Sequence, residues 1–183
     1  MNTTFSAKSQ LKLVFTGSVG AGKTSAIGAI SEVRPFKTDV KSTENGLHRT
    51  KVATTVAMDY GELTLDNNIK LHLYGTPGQR RFDFMSGILC KGALGLIILI
   101  DNAHPDSLGE LDYYVNLNAG FLRKAPAVIG ITHCDESPTP TVTHYSQALA
   151  ARGMYWPVMQ TDARQKDKVV LLVESLLATL EYA

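Results

Sequence analysis

Gly17-Ser18-Val19-Gly20-Ala21-Gly22-Lys23-Thr24 is the stretch on which the reading of this chain turns. It fits the pattern GxxxxGK[ST], and its surroundings are those the pattern needs: an apolar run, Leu11 to Thr16, before it and a helix-like segment, Lys23 to about Glu32, after it. Glycines let the backbone curl until successive N–H groups converge on an anion, and the helix N-terminus adds its positive end. Lys23 can reach terminal phosphates, Thr24 offers a hydroxyl to Mg²⁺, and Ser25 completes the expected nucleotide-binding run from Gly17. A glycine-rich turn with no ligand is the plainer reading, and the strand before and the helix after weigh against it. This motif alone does not choose GTP over ATP.

Outward from that loop, apolar runs alternate with helix-like segments. Residues 31 to 51 hold few apolar side chains and read as a long surface loop. Val56 to Leu65 and Ile69 to Tyr74, joined by Asp66-Asn67-Asn68, predict a hairpin. Ala93 to Asp101 and Ala127 to Thr132 are nearly all apolar, as strands covered on both faces are; Met154 to Gln160 is a weaker strand. Helices are expected over Pro105 to about Ala119, about Thr141 to Arg152, and Lys166 to Tyr182, the last with Val169, Val173, Leu176 and Leu180 on one face. The alternation predicts an α/β fold of the P-loop NTPase kind: a mostly parallel six-stranded sheet with one antiparallel edge strand and helices on both faces. Residues 1–10 are read as a tail and 11–183 as one domain.

Composition narrows the partners. The chain has 183 residues, 44% apolar and 19% charged, with a formal net charge of +1, so no global field favours nucleic acid. Cys90 and Cys134 form no CxxC pair, which is consistent with a reducing compartment. The N-terminal MNTTFSAKSQ has no apolar stretch, the terminal LATLEYA has no cysteine, and the longest apolar run is too short to cross a bilayer. A cytoplasmic protein without a direct membrane anchor is expected.

Thr54-Thr55-Val56-Ala57-Met58-Asp59-Tyr60 and Gly75-Thr76-Pro77-Gly78-Gln79, at their spacing from the phosphate loop, resemble the two switch regions of Ras-like small GTPases. The Thr-Pro-Gly-Gln form is most similar to prokaryotic members of the gliding-motility polarity type. The resemblance runs over essentially the whole chain and implies a Ras-like G domain that binds GTP or GDP with Mg²⁺, hydrolyses GTP slowly and signals through effector and GTPase-activating proteins, roadblock-domain proteins among the candidates. It implies that Thr55, with Thr54 as the fallback, completes the Mg²⁺ shell beside Thr24, that the Gly78 N–H meets the γ-phosphate, and that Gln79 orients the attacking water. Taken singly, Thr55 is a β-branched strand residue and Gln79 a surface residue after a turn. Two positions depart from the family: Gly75 stands where most members carry an aspartate, leaving Asp59 or Asp101 as substitutes, and Val19 adds bulk where many have glycine. Arg80, Arg81 and Arg49 are candidate charge stabilisers, each also explicable as a solvated surface residue.

At the base-reading end, Thr132-His133-Cys134-Asp135 falls where the family has Asn-Lys-x-Asp and keeps only the last residue. The Asp135 carboxylate would accept from guanine N1–H and N2, a donor pair adenine lacks; Thr132 and His133 would take over part of the asparagine and lysine contacts. Thr161-Asp162-Ala163-Arg164 resembles the Ser-Ala-Lys loop, with the Ala163 N–H on guanine O6. A metal site drawn from His133, Cys134, Asp135, His144 and Cys90 is the competing use of these residues. Two functions compete with the switch: a P-loop ATPase or kinase, which would account for the eroded guanine motif, and a nucleotide-binding scaffold with little or no turnover, which Gly75 and Val19 suggest.

Overall fold

The computed structural model describes residues 11–34, 36–42, 54–65 and 68–181. Seven strands form one sheet in the order β2-β3-β4-β1-β5-β6-β7. The strands are β1 Leu11–Thr16, β2 Phe36–Ser42, β3 Thr54–Leu65, β4 Ile69–Gly75, β5 Gly95–Asp101, β6 Ala127–Thr132 and β7 Val158–Gln160. The helices are α1 Lys23–Ile30, α2 Phe84–Leu89, α3 Ser107–Leu117, α4 Ala119–Leu122, α5 Val142–Ala150 and α6 Lys166–Glu181, with a 3₁₀ turn at Arg80–Phe82 before α2. This is the α/β P-loop NTPase fold the sequence predicts.

Strand alternation builds the two faces. Leu13, Phe15, Ile97 and Leu99 pack with α1 and α6, where Val169, Leu172, Val173 and Leu176 fill the core. The intervening Val14, Leu96, Ile98 and Ile100 point the other way, onto Leu111, Tyr114, Val115, Tyr145 and Leu149 of α3 and α5. Because successive side chains of a strand alternate, a run such as β5 can be buried throughout only when both faces are covered.

The sheet has one strand more than the hydropathy pattern suggests. Residues 31–51, expected as a loop, contain β2, which pairs antiparallel with β3 from Phe36 opposite Tyr60 to Ser42 opposite Thr54. Its sequence, FKTDVKS, has too few apolar residues to carry a strand signal; the free edge of β3 supplies the backbone hydrogen bonds instead. Residues 43–53, including candidate Arg49, lie outside the described residues. β3 alone among the described strands runs against the rest, and β2 rather than β3 forms the edge. Beyond the reach of β2, the β3 edge is covered from the end of α1: Glu62 N–H donates to Ser31 Oγ, Glu32 N–H to Glu62 O, and Thr64 N–H to Glu32 Oε1.

The parallel strands β4, β1, β5, β6 and β7 all end on one side of the sheet. β1 lies between β4 and β5, where successive crossovers leave in opposite directions, and such a switch point opens a crevice at the strand ends. The loops of the candidate site leave from these ends, and Asp59 reaches it from within β3.

Candidate functional site

The phosphate loop links β1 to α1, as its motif requires. Lys23 is buried and folded back into the loop, its Nζ donating to Gly17 O at 2.7 Å and Ser18 O at 2.6 Å. Burial pushes its pKa down to about 8, with the nearby Asp59 charge working in the opposite direction. At Gly22, φ is +92° and a Cβ would stand 2.7 Å from the Ala163 Cβ, so both backbone conformation and space call for glycine. Ala21 is fully buried, whereas Val19, Gly20, Thr24 and Ser25 are exposed along the loop and the start of α1.

The acid missing at Gly75 has a counterpart one strand away. Asp59 and Gly75 are direct cross-strand partners in the β3–β4 ladder. A Cβ on Gly75 would lie 3.1 Å from Asp59 Cβ and 3.2 Å from its Oδ2, so the Asp59 side chain takes the space an acid at 75 would need. Its Oδ2 accepts a 2.6 Å hydrogen bond from Thr24 Oγ1. Because β3 is antiparallel, its early residues lie at the end of the sheet where the parallel strands finish, and that orientation brings Asp59 to the phosphate loop. The two oxygens form a hard-oxygen pair of the kind Mg²⁺ accepts, which commonly takes only one or two protein ligands beside phosphate and water. Among the described residues no group of three or more His, Cys, Asp or Glu could hold a metal, and His144 is engaged at the start of α5 on the Thr141 backbone N–H, so the competing metal cluster is not formed. Thr55 lies in β3 opposite Lys41, and its side chain is outside the described residues.

The second switch-like segment packs against the loop. A Cβ on Gly78 would fall 2.6 Å from Val19 N and 2.8 Å from Lys23 Nζ, an approach only glycine allows. Gln79 is exposed, and its Oε1 accepts from Arg81 Nε at 2.9 Å. The following residues are tied to α3: Arg80 pairs with the nearly buried Glu110 at 2.9 Å and lies over the Tyr113 ring, Tyr113 donates to Asp83, and Ser86 donates to Asn118. Of the three apolar residues there, Met85 is core, Phe82 is half-buried and Phe84 is 48% exposed, with Ile88 beside it on the outer face of α2.

A cavity of about 490 Å³ bounded by Lys23, Thr24, Asp59, Gly78 and Gln79 meets, at Gly20, a second of about 180 Å³ bounded by Thr132, His133, Asp135, Thr161 and Ala163. Together they make one groove running over the phosphate loop. Thr132 ties its far end to that loop, with Oγ1 3.3 Å from Ala21 O and 3.2 Å from Ile100 O. His133 has φ +55°, and its Nδ1 is 3.0 Å from Asp101 Oδ1, so Asp101 partners the histidine rather than Thr24. Asp135 is exposed at the rim. The Arg164 guanidinium grips Asp162 through two nitrogens and holds its carboxyl far below the usual carboxylate range. The sequence reading quoted Thr161, Asp162 and Arg164 within one loop but gave neither the fork nor the Thr161 hydroxyl a role, and it missed the Arg80–Glu110 pair, because motif spacing does not encode hydrogen-bond partners.

Comparison with known proteins bears on this groove. The family model described as "Conserved hypothetical ATP binding protein" matches residues 37–181, a span that begins after the phosphate loop. An uncharacterized protein of Methanocaldococcus jannaschii is 33% identical over 94 residues, 51% of this chain and 53% of its own. Ras-related protein Rab-7b of Mus musculus is 30% identical over 107 residues (58% and 49%), and Ras-related protein Rab-18 of Lymnaea stagnalis 29% over 109 (58% and 48%). The chain thus spans about half the length of the curated relatives it matches. No described helix is long and apolar enough to cross a membrane.

Proposed function

The chain belongs to the family described as conserved hypothetical ATP binding protein, and from that premise we propose that it is a nucleotide-dependent switch of the Ras-like kind that binds a guanine nucleotide and slowly hydrolyses GTP. The observation that carries this reading is the single groove: Lys23, Thr24, Asp59 and Gly78 meet at one end, and Asp135 stands at the other. The distant likeness to Ras-related proteins supports the same class.

In this reading Lys23 exchanges its two carbonyl partners for terminal phosphate oxygens, a move its desolvated position favours. The Thr24 hydroxyl, with Asp59 behind it and Thr55 by resemblance, would hold Mg²⁺, which supplies charge neutralisation at the phosphates. The Gly78 N–H is close enough to the loop to face the γ-phosphate. The Gln79 amide orients a water for attack on the γ-phosphorus; the bond to the β–γ bridging oxygen breaks, and GDP and phosphate leave. Two features slow the step. Val19 crowds the γ-phosphate end, and Arg81 engages the amide oxygen that must accept from the water.

Loss of the γ-phosphate would relax the Gly78–Gln79 segment, and the exposed Phe84–Ile88 face of α2 is the surface a GTP-preferring effector or activator would read, with roadblock-domain proteins the candidates that the resemblance suggests. The family's description names ATP, and Thr132-His133 replace the usual guanine-reading pair, so a P-loop ATPase or kinase is the second reading. Identification of the co-purifying nucleotide, calorimetry with GDP, GTP and ATP in the presence of Mg²⁺, and radiolabelled turnover separate these. Micromolar or tighter GDP and GTP binding with much weaker ATP supports the switch; preference for ATP overturns it. Guanine binding without turnover leaves a scaffold.

A further inference from the structure

Thr161 follows β7 and is 8% exposed. Its N–H donates to Ile131 O at 2.9 Å, and its methyl packs where a Cβ on Gly130 would come within 3.2 Å. Among the described residues its Oγ1 is the one buried side-chain oxygen or nitrogen with no hydrogen-bond partner. An unpaired buried hydroxyl destabilises a fold, and valine would fill the same β-branched shape without that cost. Thr161 also bounds the smaller cavity, beside Thr132, Asp135 and Ala163.

The neighbouring hydroxyl is already committed. Thr132 has one proton, and its oxygen lies between two carbonyls, Ala21 O and Ile100 O. It therefore cannot donate to a base without releasing the phosphate loop or β5. Asp135 can accept from a guanine's N1–H and N2, and the Ala163 N–H can serve O6, which leaves ring N7 as the acceptor on that edge without a donor. We propose that the Thr161 hydroxyl, closed off in the protein alone, turns into the cavity when a purine binds and donates to N7 with at most one water between them; this rests on the nucleotide-binding reading above. Thr161 takes over the donor role that Thr132 is too occupied to perform, and its orphaned state in the protein alone is the stability cost of that contact.

The test compares wild type, Thr161→Val and Thr161→Ser in calorimetric titrations with GDP and with 7-deaza-GDP, which has a C–H at position 7, alongside melting of nucleotide-stripped protein. Thr161→Val is expected to bind GDP about tenfold more weakly, to bind 7-deaza-GDP as wild type does, and to melt no lower than wild type once stripped. Thr161→Ser should keep the preference for GDP over 7-deaza-GDP. Equal GDP affinity in wild type and Thr161→Val overturns the proposal, as does a parallel loss for both ligands with a lowered melting point, which marks a structural role. A wild-type chain that binds neither ligand overturns the nucleotide reading and this proposal together, and is recognised by wild type itself giving no heat.

Discussion

Thr24 Oγ1 and Asp59 Oδ2 are 2.6 Å apart, a hydrogen bond between the last residue of the phosphate-loop motif and a strand that runs against its neighbours. Asp59→Ala should therefore raise the Mg²⁺ concentration needed to retain GDP about tenfold or more, measured as nucleotide release during Mg²⁺ titration. The cross-strand pairing adds a sharper test. Asp59→Ala combined with Gly75→Asp returns a carboxylate to the same space from the opposite strand and should recover part of the loss. Unchanged Mg²⁺ dependence in the single variant would remove Asp59 from the site.

Lys23 gives the site a pH signature. Its pKa of about 8 in the free protein means that the ammonium, the form phosphates bind, is present below pH 8 and is lost as pH rises through it. Phosphate oxygens favour the ammonium and raise that pKa in the complex, so binding above pH 8 must take up a proton. GDP affinity should fall from pH 7.5 to pH 9.5, by up to about tenfold per unit. Calorimetry at pH 8.5 in buffers of different ionisation enthalpy measures the proton uptake. Lys23→Arg should show none, because a guanidinium stays charged throughout.

Gln79 is expected to matter to turnover and not to affinity. Gln79→Ala should leave GTP binding nearly unchanged and slow single-turnover hydrolysis about a hundredfold. Val19→Gly should act in the opposite direction, because the exposed valine stands beside Gly78 where the transition state must fit. A Gln79→Ala chain as fast as wild type places the water-orienting group elsewhere.

The anchor of the segment after Gln79 can be tested without nucleotide chemistry. Glu110 is nearly buried and Arg80 mostly exposed, so Glu110→Ala should cost only modest stability while freeing the 3₁₀ turn from α3. Amides of residues 80–90 should then exchange faster, and those of β5, buried on both faces, should not change.

What the sequence made legible follows from how each element is held. β1, β5, β6 and α6 are held by apolar burial, so period-two and helical patterns reveal them. β2 is held by edge pairing and leaves no hydropathic trace. The site divides the same way. Gly17 to Thr24, Gly78 and Gln79 stand in short spaced motifs, so a reading of the sequence can single them out. Asp59 acts through strand register with Gly75, 16 positions away, and sequence reading could only offer it beside Asp101 as one of two candidates. The choice between them turned on His133, whose left-handed backbone carries its ring to Asp101. Thr161 stood in the quoted loop from 161 to 164 with no role of its own, because the state of a hydroxyl depends on what its neighbours have already bonded.

The contact between Gly22 and Ala163 has a consequence for inheritance. The Ala163 methyl fills the space beside Gly22 on the wall of the smaller cavity, leaving no room for a Cβ on Gly22. Descendants of this sequence can vary at the exposed Arg164 rim, but positions 22 and 163 are locked to small residues as a pair. At Gly22 the left-handed backbone bars a side chain whatever stands at 163, and a larger residue at 163 would press on a glycine that cannot be made smaller, so neither change can be offset by the other.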